Sequence, residues 1–581
     1  MEFVLIMAGA RHRLAAALVA ATLAAPATAA AQAHADSTQL KHQGMHHGMH
    51  HGATETAAVW RMPPMDMSMP MLPSLMEAEP KVRPFLPGAG IDPMTLPAAA
   101  FREVVELQDG DTLALVAGLV RRTISGRTFV MYGFNGQYPG PLIKAPQNAT
   151  IVVEFRNETA LPTAVHWHGV RLDNRYDGVP GVTQEPVPPG GTFEYRVHFR
   201  DAGIYWYHPH HREDITQDLG LYGNMMVASP DPDYFNPVNR EEIVMLDDLL
   251  VDEAGLIPYG TETATHALMG RFGNVILLNG EPDYDLEVRR GDVVRFFFTN
   301  VSNTRVFNLS FDGAQVKVIG SDVGKYEREA RVESIVIAPA ERYIVEVLFD
   351  RAGPVTLTNR IQAIDHYRGE FYAHVDTLGT IRVSETTTAE SHRAAFERLR
   401  ENPEVIAEID RYRPFFDRPV DHTLEIGVDV GALPLPLLQM MAVDTFYYHP
   451  VEWNDVMPMM NYLSTGVDVR WFVRDVATGR ENMDIDWRFR VGDIVKLRIR
   501  NEPTSLHPMH HPIHIHGQRF LILERDGVRN TNFVWKDTAV IPLGSTVDLL
   551  VEMSNPGDWM LHCHVSEHLE TGMKMVFRVA P

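Results

Sequence analysis

IPLGSTVDLLVEMSNPGDWMLHCH (541–564) settles how this chain folds, because two relatives of it stand earlier in the sequence. VPPGGTFEYRVHFRDAGIYWYHPH occupies 187–210 and IAPAERYIVEVLFDRAGPVTLTNR occupies 337–360. Each runs from a Pro-containing turn through an alternating strand to a glycine and a final strand. The spacings agree: Gly203 to His208, Gly353 to Thr358 and Gly557 to His562 are all five residues. A β-branched or aromatic run closed by Asn precedes each block: NATIVVEFRN (148–157), GDVVRFFFTN (291–300) and GDIVKLRIRN (492–501). Ahead of the first two lie FNGQYPGPLI (134–143) and LLNGEPDYDL (277–286). Three copies of one antiparallel unit predict an all-β chain of three Greek-key β-sandwich domains. The expected boundaries are 96–235, 236–385 and 421–581, with a partly helical linker (AESHRAAFERLREN) inside 386–420.

The 581 residues suffice for these domains at about 100–200 residues each. One cysteine excludes an intramolecular disulfide and a four-cysteine zinc site, while 27 histidines and 27 methionines point to a transition metal. The formal net charge of −23 argues against a nucleic-acid partner. Arg11, His12 and Arg13 precede an alanine-rich apolar run ending in small residues, which reads as a signal peptide over 1–35 rather than a membrane anchor. An exported protein follows, with no stable membrane insertion after cleavage. A monomer is expected. Residues 36–95 read as a disordered leader. Within it, 42–76 hold eight methionines, with His42, His46, His47, His50 and His51. Thioethers suit Cu(I) and imidazoles suit Cu(II), so this segment reads as a copper collector, against the plainer reading of a solvated linker.

The three repeats differ where chemistry would sit. The first carries His166-Trp167-His168 and His208-Pro209-His210, and the third carries His514-Ile515-His516 and His562-Cys563-His564. The middle one has Asn308-Leu309-Ser310 and Thr358-Asn359-Arg360 instead. Residues i and i+2 of a strand share a face, so each His-X-His pair aims one way. The first and third domains must meet for the eight imidazoles to converge, and eight exceed the needs of one ion. Cys563 must point opposite to its two neighbours, so a single strand can serve two sites. His511, His568 and Met573 accompany it, and a thiolate, two imidazoles and a weak thioether make a blue-copper ligand set.

With these motifs in view, the sequence resembles the multicopper oxidases. All four copper motifs of that family are present as HWHG (166–169), HPH (208–210), HPIHIHG (511–517) and HCHVSEHLETGM (562–573). The resemblance covers roughly 100–581 and implies three cupredoxin-like domains and four copper ions. By that resemblance His511, Cys563, His568 and Met573 bind the type 1 copper, and His166 and His514 the type 2 copper. His168, His208, His210, His516, His562 and His564 bind the type 3 pair. Cys563 is then catalytic as the electron route to the three-copper cluster, where O2 becomes water. Asp177, in YDGVP, is similar to the family's acid beside the type 2 copper, the plainer reading being a turn aspartate. Positions where some relatives carry a second acid hold Ser566 and Leu569, with Glu567 and Glu570 displaced beside them.

The chain resembles the bacterial laccase-like, copper-resistance branch of that family, which implies periplasmic placement and a role in copper tolerance. The expected partners are O2 and a small reducing substrate, Cu(I), phenols or both. Met440, Met441, Met457, Met459 and Met460 favour Cu(I), unless they only fill gaps in the packing. A general laccase acting on phenols is the alternative, and a periplasmic copper carrier is the alternative outside the enzyme class. A copper nitrite reductase lacks the type 3 pair and is excluded by the full set of His-X-His motifs.

Overall fold

The computed structural model describes residues 84–581 apart from 261–262, 366–369, 432, 434–450, 454–464 and 503–508. The signal segment, the metal-rich part of the leader and the methionines of 440–460 lie outside the described residues. Within the stretch expected as leader, Phe85 forms a β-bridge with Tyr259, and Asp92 caps the turn of 3-10 helix at Pro93–Thr95. The chain is therefore held from at least Phe85 onward. Among the described residues no helix is long and apolar enough to cross a membrane.

Among the described residues, six sheets make three pairs. The first pair lies between Val104 and Ala228, the second between Arg240 and Thr387, the third between His422 and Ala580. One arrangement recurs in all three. The Asn-terminated strands Thr150–Asn157, Asp292–Asn300 and Ile494–Asn501 each pair parallel with an earlier strand. Each also pairs antiparallel with the alternating strand of its block, at Thr192–His198, Arg342–Phe349 and Thr546–Glu552. Such mixed, non-sequential pairing is the Greek-key crossover expected of the repeats. The final strands begin at Gly203, Gly353 and Gly557 with φ of +156°, +116° and +143°. Side chains with a Cβ rarely adopt such angles, so glycine is used to redirect the chain into the second sheet.

The closing asparagines explain why the blocks stay in step. Asn157 Nδ2 donates to the carbonyls of Leu161 and Val187, at 2.8 and 2.9 Å. Asn300 Nδ2 donates to Arg305 and Ile337, at 2.7 and 3.0 Å. Asn501 Nδ2 donates to Met509 and Ile541, at 2.5 and 3.3 Å. Val187, Ile337 and Ile541 are the first residues of the three repeated blocks, so each buried amide ties the exit of one strand to the start of the next unit. Apolar side chains then fill each sandwich, with Trp167 and Tyr207 in the first, Phe296 and Phe311 in the middle and Trp559 and Leu549 in the third.

The linker is partly helical, with helices at Arg393–Glu397 and Pro403–Asp410. One pairing crosses the expected domain limits: Val451–Trp453, inside the segment expected as the third domain, runs parallel to Gln362–Ile364 of the middle sheet. Backbone pairing follows an open sheet edge, which domain limits drawn from repeats do not reveal.

Candidate metal centre

In the first sandwich His166 stands directly across from His208, where Val165–His168 pairs with Gly203–Pro209. In the third, His514 stands across from His562, where His511–Ile515 pairs with Gly557–Cys563. Two equivalent ends of two sandwiches face each other, and their eight imidazoles meet in one buried space. Ring centroids lie 4.0 Å apart for His166 and His516 and 3.7 Å for His168 and His514. His516 Nε2 is 3.3 Å from His210 Nε2 and 3.0 Å from His562 Nε2. His564 lies 5.1 Å, centroid to centroid, from both His168 and His208.

Hydrogen bonds at one ring nitrogen determine what the other presents. Nδ1–H donates to a backbone carbonyl in four rings: His166 to Asp177 (2.8 Å), His208 to Pro209 (2.8 Å), His514 to Asp537 (2.9 Å) and His562 to Cys563 (2.8 Å). His516 Nδ1 donates to the Asp177 carboxylate at 2.9 Å. Asp177 therefore holds one ring from each of two domains. His168 is turned the other way: its Nε2 donates to Asp537 Oδ1 at 3.1 Å, and its Nδ1 faces inward. His166 Nε2, His168 Nδ1, His208 Nε2 and His514 Nε2 are buried with no hydrogen-bond partner. An orphaned buried nitrogen is costly unless a ligand takes its lone pair. Burial, together with the neighbouring rings, pushes the pKa of His168, His208, His210, His514, His516 and His564 well below 6.5. For His562 burial lowers it to about 3. These seven rings are neutral lone-pair donors, the form that a metal ion requires, and the residues fit a multinuclear metal site.

Cys563 faces the other way. Its Sγ is 3.5 Å from His511 Nδ1 and 3.7 Å from His568 Nδ1, and the two Nδ1 atoms are 3.3 Å apart. The helix Ser566–Glu570 makes one turn after Val565 and folds His568 back against Cys563, which accounts for the five-residue spacing. Met573 is buried in the same core cluster, and its carbonyl accepts from the Cys563 N–H at 3.1 Å. Burial pushes the thiol far above its ordinary pKa. Only a cation at sulfur would keep such a group as thiolate. His511, Cys563 and His568 together, and His210, His516 and His562 together, offer ligand atoms within 4.8 Å of one another. His510, outside the expected ligand set, turns its Nε2 toward the Thr304 carbonyl, 3.4 Å away.

Four contributors lie outside the sequence motifs. Asp537 touches His168 by its side chain and His514 by its carbonyl. Glu213, three residues after His210, places Oε1 at 3.2 Å from His210 Nδ1. Neither of its carboxyl oxygens has a hydrogen-bond partner, and burial raises its pKa well above the carboxylate range. Trp471 lies over His568 with centroids 4.2 Å apart, and the Leu268 carbonyl lies 3.3 Å from His568 Nε2. Only the i+3 spacing of Glu213 at the start of a helix could have drawn attention. Glu567, displaced from the expected acid positions, accepts from Asn303 Nδ2 and Thr304 Oγ1 of the middle domain, and burial raises its pKa to about 8.

Family models described as multicopper oxidase match residues 120–232, 243–363 and 454–581. Laccase-2 of Cryptococcus neoformans var. grubii is 25% identical over 78% of this chain and 81% of its own length. Dihydrogeodin oxidase of Aspergillus terreus is 26% identical over 77% and 79%. Among solved structures, the Campylobacter jejuni multicopper oxidase, described as a metallo-oxidase, superposes with a TM-score of 0.64 at 20% identity, covering 87% of this chain and 99% of its own. Lac15 from a marine microbial metagenome gives 0.53 at 26% identity, covering 81% and 100%. The three matched segments fall one on each sandwich, and the chain belongs to the multicopper oxidase family of copper-dependent oxidoreductases that use dioxygen.

Proposed function

We propose that this chain oxidises a small one-electron donor, cuprous ion foremost and phenols besides, and holds four copper ions to do so. His511, Cys563, His568 and Met573 would hold the type 1 ion, and His166 and His514 the type 2 ion. His168, His208, His210, His516, His562 and His564 would hold the type 3 pair. Bound copper supplies one-electron storage, enough in total to take O2 to water without releasing partly reduced oxygen. The observation that carries this reading is Cys563, whose sulfur faces one ligand set while His562 and His564 beside it face the other. Three consecutive residues thus give a covalent path between two metal sites.

The protein's own groups supply orientation and protons. Carbonyls and Asp177 fix the rings. Asp177 Oδ1, buried without a hydrogen-bond partner, is the atom at which a proton would wait. Glu213 would hold a second proton beside His210. For the donor, closure of the electron-accepting ring supports cuprous ion. His568 is fully buried under Leu268 and Trp471, which disfavours direct stacking by a bulky phenol. The methionine- and histidine-rich leader and the methionines of 440–460 support the same choice, and the alanine-rich segment ahead of them supports export to the periplasm and a role in copper tolerance.

The test is O2 uptake with Cu(I), Fe(II) and a phenol, in the full chain, a chain lacking 42–76, and a Met457, Met459, Met460→Leu variant. Cu(I) turnover should fall several-fold in both variants with phenol turnover kept. Unchanged Cu(I) turnover in both would sink the cuprous reading. Blue colour without O2 uptake would leave only a copper carrier.

A further inference from the structure

The middle sandwich supplies none of the clustered histidines, yet its Arg342 reaches the edge of the cluster. All five guanidinium N–H groups are used, and the acceptors come from all three sandwiches. Nε donates to Ile204 O of the first, at 3.1 Å. Within the middle one, Nη1 donates to Ala340 O at 3.0 Å and Nη2 to Asp322 O at 3.2 Å. Nη1 and Nη2 also grip Asp537 of the third, at 2.7 Å to Oδ1 and 2.5 Å to Oδ2. Arg342, Asp322 and Asp537 are all fully buried.

Asp322 secures the same strand from behind. Its Oδ2 accepts from Thr538 N at 3.2 Å and lies 3.2 Å from Lys536 Nζ. The next glycine after His168 marks how tightly this is built: a Cβ on Gly169, whose φ is +83°, would lie 2.4 Å from Asp537 Oδ2 and 2.7 Å from Arg342 Nη2. The final G of HWHG thus makes room for the guanidinium–carboxylate pair beside the cluster.

A fully buried ion pair is weak grounds for stability, since its desolvation cost rivals its attraction. Orientation is what this one provides. With both oxygens facing guanidinium N–H groups, the Asp537 carboxylate can only accept, so His168 must donate from Nε2 and turn Nδ1 inward. We propose that Arg342 is a positioning residue of the imidazole cluster: acting through Asp537, it fixes the tautomer and direction of His168 and makes the middle sandwich a structural partner of a site to which it gives no ligand. This rests on the reading of that cluster as a copper site.

The test loads Arg342→Lys and wild type with copper and strips them with a graded chelator. It follows copper per chain, the blue absorbance of the Cys563 site and the EPR signal of the cluster. Outer contacts of this kind are worth about 10–100-fold in metal affinity. The variant should release cluster copper at a correspondingly lower chelator concentration and show an altered cluster EPR signal, with the blue band kept. Release at the wild-type concentration with an unchanged signal would overturn the proposal, as would parallel loss of blue and cluster copper, which marks a purely structural role. Should Arg342→Lys not fold, Asp537→Asn carries the same test, because it keeps the shape and removes one acceptor. A wild-type chain that takes up no copper would instead refute the copper reading itself.

Discussion

At Cys563 the thiol is fully buried between two imidazoles, and burial alone would keep it protonated. Serine in its place leaves the strand intact but offers a hydroxyl that soft metals bind poorly. Cys563→Ser should abolish the blue absorbance and reduce donor oxidation to background, while the eight-imidazole cluster still loads; absorbance and copper per chain check this. Residue-scale chemistry was legible wherever strand alternation governed it, as in the four His-X-His pairs, because period-two spacing fixes a shared face. Asp537, Arg342 and Trp471 were not legible. They reach the site from strands and turns whose local sequence carries no period pointing there.

Among the elements, the strand-closing asparagines stand out in the sequence only as the last residues of three β-branched or aromatic runs. Their side chains do more, since each satisfies two carbonyls between one strand and the next block. Asn300→Ala would remove the amide donor from two buried carbonyls, Ile337 and Arg305, the latter also reached by Ser302 Oγ, at a cost of about 2 kcal/mol. The expected outcome is a lower Tm of the metal-free protein in calorimetry, with Asn300→Asp no better because it lacks the N–H donors. The β architecture itself followed from the repeated Pro–strand–Gly–strand pattern. The helix Thr263–Met269 did not, because seven residues are too few to show a period, and it is this helix that brings Leu268 over His568.

At the scale of the whole molecule, the cluster joins the first and third sandwiches through histidines, seven of them held neutral by burial, and this makes stability depend on pH. Their folded-state pKa values are lowered, to about 3 for His562, while in an unfolded chain they return to about 6.5. Below 6.5 the unfolded state binds the extra protons, so stability is greatest above that pH and is lost progressively as pH falls toward 3. The metal-free protein should therefore show a falling Tm between pH 7 and pH 5, and copper loading should raise Tm at each pH in that range; a flat profile for the metal-free form would contradict this. The sequence by itself determined the three β units, the histidines able to share a face and the separate orientation of Cys563, because these follow from local periodicity and spacing. Folding in three dimensions set which ring nitrogen His166, His168, His208, His514 and His562 present and brought Arg342 of the middle sandwich against the site, because those depend on side chains far apart in the chain meeting in a buried space where every donor must find an acceptor.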